Sequence, residues 1–148
     1  MGGFIIMRVR ELMNTNVVTL TPDDSVASAA RLLHRHNIGS MPVCGPDGQL
    51  RGILTDRDIV LRCVASENPP EETKVREIMT RGVVSVSPDD DVREATRIMS
   101  TEQIRRLPVV SNNRVVGMLA LADMARTYSF DMEASKALSE ISTPKKKF

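Results

Sequence analysis

The chain has 148 residues, 41% of them apolar and 26% charged, with a formal net charge of +1. That length carries one compact domain or two small packed halves with a real core, and the near-zero charge gives no electrostatic footprint for nucleic acid or an anionic membrane. Aromatic residues make up only 3% and tryptophan is absent, so the stacking platforms that single-stranded nucleic acid needs are missing.

In chain order, residues 1–8 hold the short apolar stretch Phe4-Ile5-Ile6 with no basic residues ahead of it, too short for a signal peptide or a bilayer span. These three are expected to pack on the fold as an extended lead-in. Val17-Val18-Thr19-Leu20 is β-branched and reads as a strand ended by Thr21-Pro22-Asp23-Asp24. From Ser25 to His36, Val26, Ala29, Ala30, Leu32 and Leu33 recur at helical spacing, with Arg31, His34 and Arg35 on the wet side. After a break at Asn37-Ile38-Gly39-Ser40, Met41–Cys44 and Leu50–Leu54 are strands joined by the turn Gly45-Pro46-Asp47-Gly48. A second helix opens at Thr55-Asp56-Arg57-Asp58 and runs through Cys63. Residues 66–74, with the polar and proline-bearing SENPPEET, form a linker.

The same order then returns: a strand over Val83–Val86, a helix over Asp89–Gln103, strands over Leu107–Val110 and Val115–Leu119 around Ser111-Asn112-Asn113, and a helix from Ala120 to Thr127. Residues 128–148 are a tail. Its amphipathic Phe130, Met132, Ala137, Leu138 and Ile141 suit either a helical continuation at a dimer contact or a loosely docked end, and Lys145–Lys147 suit a solvated terminus.

This return is an internal duplication. Val9–Val43 and Val75–Val109 share, in one order, VRE, a methionine, Val-Val, Pro-Asp-Asp, Ile and Pro-Val. Such a repeat is usually a supersecondary block that packs against its own copy to bury an apolar face.

Thr55 and Asp58 have the spacing of a capping box, with the hydroxyl and the carboxylate each serving a backbone amide at the other end of the first turn. A helix start also presents free amides that suit a phosphate or an oxygen-rich ligand. The second copy carries Ala120 and Asp123 at the matching places and so lacks the hydroxyl. Arg105 and Arg106 stand before Pro108 where the first copy has Gly39 and Ser40. By themselves two adjacent arginines are solvated surface, yet guanidinium planes also suit phosphate. Cys44 and Cys63 lack zinc or disulfide spacing, and His34 and His36 lie on different helix faces, so no metal is expected. No nucleophile–base pair or Walker-type loop is present, and no catalytic cofactor or enzyme activity is expected.

The duplicated strand-helix-strand-strand-helix unit, with Pro-Asp-Asp, Ile-x-x-x-Pro-Val and Gly-Ile-Leu-Thr-Asp-Arg-Asp (Gly52–Asp58), resembles the tandem CBS-domain module of small standalone prokaryotic proteins. The resemblance implies an α/β (α+β) fold with motif 1 over residues 9–65 and motif 2 over 75–127, packed with pseudo-two-fold symmetry. It implies a homodimer in the cytoplasm that binds an adenosine ligand (AMP, ADP, ATP or S-adenosylmethionine) and regulates a partner protein, with neither nucleic acid nor membrane involved.

In the family, the aspartate of the GxxTxxD pattern takes the ribose hydroxyls and clefts are shared across motifs. The main site so implied joins Thr55 and Asp58 to Val83, Ile104, Arg105, Arg106 and Pro108. The weaker one joins Asp123 to Asn16, Val17, Ile38, Ser40 and Pro42. The alternative is a ligand-free dimerisation module with degenerate clefts.

Overall fold

The computed structural model describes residues 6–126 and 138–141. They fall into two compact units that cut across the repeat: one holds 17–83 and 112–115, the other 6–16, 84–111, 116–126 and 138–141. The first is called here the first-copy unit and the other the second-copy unit.

In the first-copy unit, Ser25 caps α1 (Val26–His36) by accepting the Ser28 N–H at 3.0 Å. Asn37 ends the helix at φ 52°, its N–H turned back to the Leu33 and His34 carbonyls. β1 (Ser40–Cys44) and β2 (Leu50–Thr55) pair antiparallel, with Pro42 opposite Ile53 and Val43 opposite Gly52. Gly48, at φ 79°, closes the intervening turn. α2 (Asp56–Ile59) runs straight into a π turn over Val60–Val64, and α3 (Val75–Ile78) follows the linker. The core joins Leu20, Val26, Ala29, Leu33, Met41, Val43, Leu54 and Cys63 to Val75, Ile78 and Met79.

The second-copy unit repeats the plan. Asp91 caps α4 (Val92–Glu102), and Gln103 ends it at φ 55°. β3 (Arg106–Ser111) and β4 (Arg114–Ala120) form a hairpin whose tip, 112–115, is grouped with the first-copy unit; its two turn residues, Asn112 and Asn113, both have positive φ, as a type I′ turn requires. α5 (Leu121–Ala125) closes the unit. Here the core of Val86, Val92, Ala95, Met99, Leu107, Val109, Leu119, Leu121 and Met124 takes in Val9, from the 3-10 turn Val9–Glu11.

Each VRE lead-in therefore packs with the other copy's helix and hairpin, and the repeated residues explain how. The Val75 and Arg76 amides donate to the Asp24 and Pro22 carbonyls at 2.8 and 3.0 Å; the Val9 and Arg10 amides donate to Asp90 and Pro88, both at 2.9 Å. Each lead-in also turns its glutamate back onto its own start: Glu11 accepts the Arg8 N–H and Glu77 the Lys74 N–H, both at 2.7 Å. VRE and Pro-Asp-Asp are thus the two halves of one docking joint, made twice. The linker is held too, its Thr73 carbonyl accepting the Val26 N–H at 2.8 Å.

Several expectations change. The strands expected over 17–20 and 83–86 shrink to single parallel bridges, Leu20 with Val43 and Val86 with Val109, because only the last residue of each run meets a neighbouring strand. The helix expected from Asp89 starts at Val92, since Asp90 accepts the Ser87 N–H behind it as a turn and Asp91 accepts the Arg93 N–H ahead of it as the cap. Ile6 does not pack as expected: it is 52% exposed, and the lead-in is anchored at Met7, whose carbonyl accepts the Val92 N–H. Phe4 and Ile5 lie outside the described residues. So does the tail except 138–141, a helical stretch whose Ile141 packs on the second-copy core while Leu138 is exposed.

Candidate functional site

The start of α2 is where the chemistry-bearing residues of the first-copy unit meet. Thr55 Oγ1 accepts the Asp58 N–H at 3.0 Å, and Asp58 Oδ2 accepts the Thr55 N–H at 3.1 Å, so the expected capping box is formed in both directions. The Asp58 carboxylate is nearly buried, with 10% of the side chain exposed. Two residues that sequence reasoning missed complete its surroundings. The Thr80 hydroxyl lies 3.3 Å from each carboxylate oxygen, and Arg62 Nε stands 3.9 Å from Oδ1. Arg62 is itself held, its Nη1 donating to the Ile78 and Met79 carbonyls at 3.2 and 3.4 Å. A helical i,i+4 spacing from Asp58 signals Arg62 in the sequence; nothing local signals Thr80.

Gly52, the first residue of the GxxTxxD pattern, has a local reason to be glycine. A Cβ there would lie 2.7 Å from the Thr80 carbonyl oxygen and 2.9 Å from Met79 Sδ. The lead-in backbone comes that close because Ile53 and Thr80 exchange both backbone hydrogen bonds, at 2.9 and 2.8 Å. The second-copy unit shows the same approach: Asn14 and Met118 exchange bonds at 2.8 and 2.9 Å, and a Cβ on Gly117 would meet Met13 Sδ at 2.8 Å.

The corresponding helix start differs. Ala120 provides no side-chain cap for α5, and Asp123 is ion-paired with Arg126. Where Thr80 reaches Asp58, Asn14 instead turns its Oδ1 to the Asn16 N–H at 2.9 Å. The Arg105 carbonyl accepts the Leu121 N–H at 2.8 Å, as the Gly39 carbonyl accepts the Asp56 N–H at 3.0 Å, so each pre-proline connection is tied to the start of its own copy's second helix. Arg105 is exposed and Arg106 half-buried, and among the described residues neither guanidinium has an ion-pair partner.

The residues expected of the main site divide between the units. Thr55, Asp58 and half-buried Val83 belong to the first-copy unit; half-buried Ile104, Arg105, Arg106 and buried Pro108 belong to the second-copy unit. Of the weaker set, Val17, Ile38, Ser40 and buried Pro42 lie in the first-copy unit, and Asn16 and Asp123 in the other. Elsewhere, a shallow depression of about 300 Å³ on the second-copy unit is lined by Val84, Glu94, Arg97, Ile98 and Thr101 among others, none of them an expected site residue. Among the described residues no group of three His, Cys, Asp or Glu side chains is placed to hold a metal, and no helix is long and apolar enough to cross a membrane.

Two hairpins, each followed by a short helix with an aspartate in its first turn, define a CBS pair, and the comparisons agree. The CBS domain family model matches residues 9–64 and 75–129, and the chain belongs to that family. It is 40% identical over 134 residues to the CBS domain-containing protein YhcV of Bacillus subtilis, covering 90% of this chain and 94% of that one. It is similar to the CBS domain pair of protein MJ0100, solved in complex with 5′-methylthioadenosine and S-adenosyl-L-methionine, at 30% identity and TM-score 0.75, covering 86% of this chain and 99% of that one. It also resembles Hypoxic Response Protein I, solved with two coordinated zinc ions, at 34% identity and TM-score 0.77, with 82% and 98% covered.

Proposed function

We propose that the chain is a cytoplasmic, homodimeric regulatory protein that binds an adenosine ligand, one of AMP, ADP, ATP or S-adenosylmethionine, and alters a partner protein through the bound state. The observation that carries the reading is the start of α2. A carboxylate is held in place there by its own turn, and Oδ1, whose one hydrogen-bond partner among the described residues is the Thr80 hydroxyl it shares with Oδ2, keeps acceptor capacity that suits a ribose hydroxyl. The adenosine ligands of the MJ0100 pair support the ligand class.

In this reading Asp58 takes the ribose, Thr55 lies beside it, and Arg105 and Arg106 take phosphate. Val83, Ile104 and Pro108 line the adenine. The second set, Asp123 with Asn16, Val17, Ile38, Ser40 and Pro42, binds more weakly, because Ala120 offers no hydroxyl and Asp123 already has Arg126 as a partner. The protein acts by differential binding: a ligand that favours one arrangement shifts the population that a partner meets. No catalytic step is part of the proposal.

A ligand-free dimerisation module is the competing reading. It is favoured by the local bonds that already engage Asp58 and by exposed Val60, Leu61 and Val64 on the turn after α2. Calorimetry with AMP, ADP, ATP and S-adenosylmethionine separates the two. Saturable binding lost in Asp58→Ala supports the sensor; no heat from any ligand at millimolar concentration refutes it.

A further inference from the structure

The lead-in of the second copy is stitched to the helix start of the first. Three contacts make the stitch, all within the first-copy unit. Ile53 and Thr80 exchange backbone bonds at 2.9 and 2.8 Å, the Thr80 hydroxyl bridges both Asp58 oxygens at 3.3 Å, and Arg62, four residues after Asp58, donates to the Ile78 and Met79 carbonyls. The backbone exchange fixes the Thr80 main chain, so a single side-chain torsion, stiff in a β-branched residue, places the hydroxyl against the carboxylate.

We infer that Thr80 is a positioning residue for the ribose-reading carboxylate, an inference that rests on the role proposed for Asp58. A carboxylate is a pure acceptor with about four lone-pair directions. The Thr55 N–H takes one direction on Oδ2, and a single hydroxyl shared between the two oxygens fixes the rotation of the carboxylate plane. The acceptor direction left over on Oδ1 then has a defined aim toward a ribose hydroxyl. Without the hydroxyl, the plane is tied at Oδ2 alone, with Arg62 at 3.9 Å as a distant second restraint. The second-copy unit supplies the contrast: its lead-in has Asn14 at the matching place, bonded to its own loop, while Asp123 turns to Arg126. The two helix starts thus differ in what orients their aspartates, over and above the exchange of Thr55 for Ala120.

The test compares adenosine with 2′,3′-dideoxyadenosine, which lacks the diol, by calorimetry and ligand-observed NMR on the full chain. Wild type, Thr80→Val, Thr80→Ser and Asp58→Asn are the proteins. Thr80→Val is expected to weaken adenosine about tenfold, the low end for a hydrogen bond to a charged group, while leaving dideoxyadenosine unchanged. Thr80→Ser keeps the hydroxyl and is expected to restore adenosine binding, and Thr80→Val added to Asp58→Asn is expected to cost nothing further. Equal loss for both ligands assigns Thr80 a general structural role and overturns the inference, as does wild-type affinity in Thr80→Val. If wild type binds no adenosine, the functional reading fails and the inference with it; if wild type binds and Asp58→Asn does not, the reading stands and Thr80→Val alone judges the inference.

Discussion

Replacing Gly52 with alanine tests the joint between lead-in and hairpin directly. The new methyl would sit 2.7 Å from the Thr80 carbonyl oxygen, and relief to an ordinary contact of 3.4 Å needs a shift of roughly 0.7 Å. Met79 Sδ, at 2.9 Å, ends a flexible side chain and can move aside; the carbonyl cannot, because it accepts the Ile53 N–H at 2.9 Å. Moving it by that amount stretches this bond and its reciprocal beyond useful length, a loss of about 1 kcal/mol each. Overpacking adds about 1 kcal/mol or more, and the reduced freedom of the unfolded chain returns about 0.4–1 kcal/mol.

The expected net destabilisation is about 2 kcal/mol, read from urea denaturation, with faster hydrogen exchange at the Ile53 and Thr80 amides. Gly117→Ala should cost less, about 1 kcal/mol, since its closest neighbour is the flexible Met13 sulfur and the Asn14 carbonyl stands back at 3.1 Å. Gly82→Ala is the control. Nothing lies within 4 Å of its Cβ, so its φ of 65° should cost stability without changing exchange at Ile53. Wild-type stability in Gly52→Ala would refute the reasoning.

Thr55→Ala should cost about 1 kcal/mol by removing a cap, while Ala120→Ser should gain about 0.5–1 kcal/mol by supplying one, both read by urea denaturation. Val9→Ala should cost about 2 kcal/mol and lower hydrogen-exchange protection in α4 and not in α1; loss in α1 would contradict the exchange of lead-ins. Arg106→Ala should weaken AMP about tenfold and leave adenosine unchanged in calorimetry, the mark of a phosphate contact. Burial pushes the Cys44 thiol above its ordinary value of 9.0. The folded protein therefore keeps that proton longer than the unfolded chain, so this contribution is complete below about pH 9 and is lost as pH rises through the folded value. Urea midpoints followed upward from about pH 8 should fall less steeply in Cys44→Ala than in wild type.

Much of this structure is written locally and so was legible. Ser25, Asp91 and the Thr55–Asp58 pair announce helix starts, and the asparagines at 112 and 113 announce a hairpin, because caps and turns are decided within a few residues. The exchange of lead-ins was not legible. VRE and Pro-Asp-Asp occur in both copies, so the residues specify that the two segments dock without specifying whose docks on whose. Thr80 stayed hidden for the same reason: it lies 22 residues from Asp58 in the chain and reaches it only through that exchange. The runs 17–20 and 83–86 were over-read because β-branched composition favours extended backbone whether or not a neighbouring strand runs alongside.

The crossed lead-ins have a consequence for how the chain is made. When residues 1–74 have left the ribosome, neither core is complete: the first-copy core still lacks Val75, Ile78 and Met79, and the second-copy core exists only as Val9 and its neighbours. The first half must wait unfinished for the start of the second, and Met7 and the Val9–Glu11 turn wait longest of all, until α4 and the last hairpin arrive. A protease cut near the middle therefore leaves two incomplete pieces, and a nonsense mutation there one, where a simple tandem array would leave whole units, and duplication binds the fates of the copies at birth.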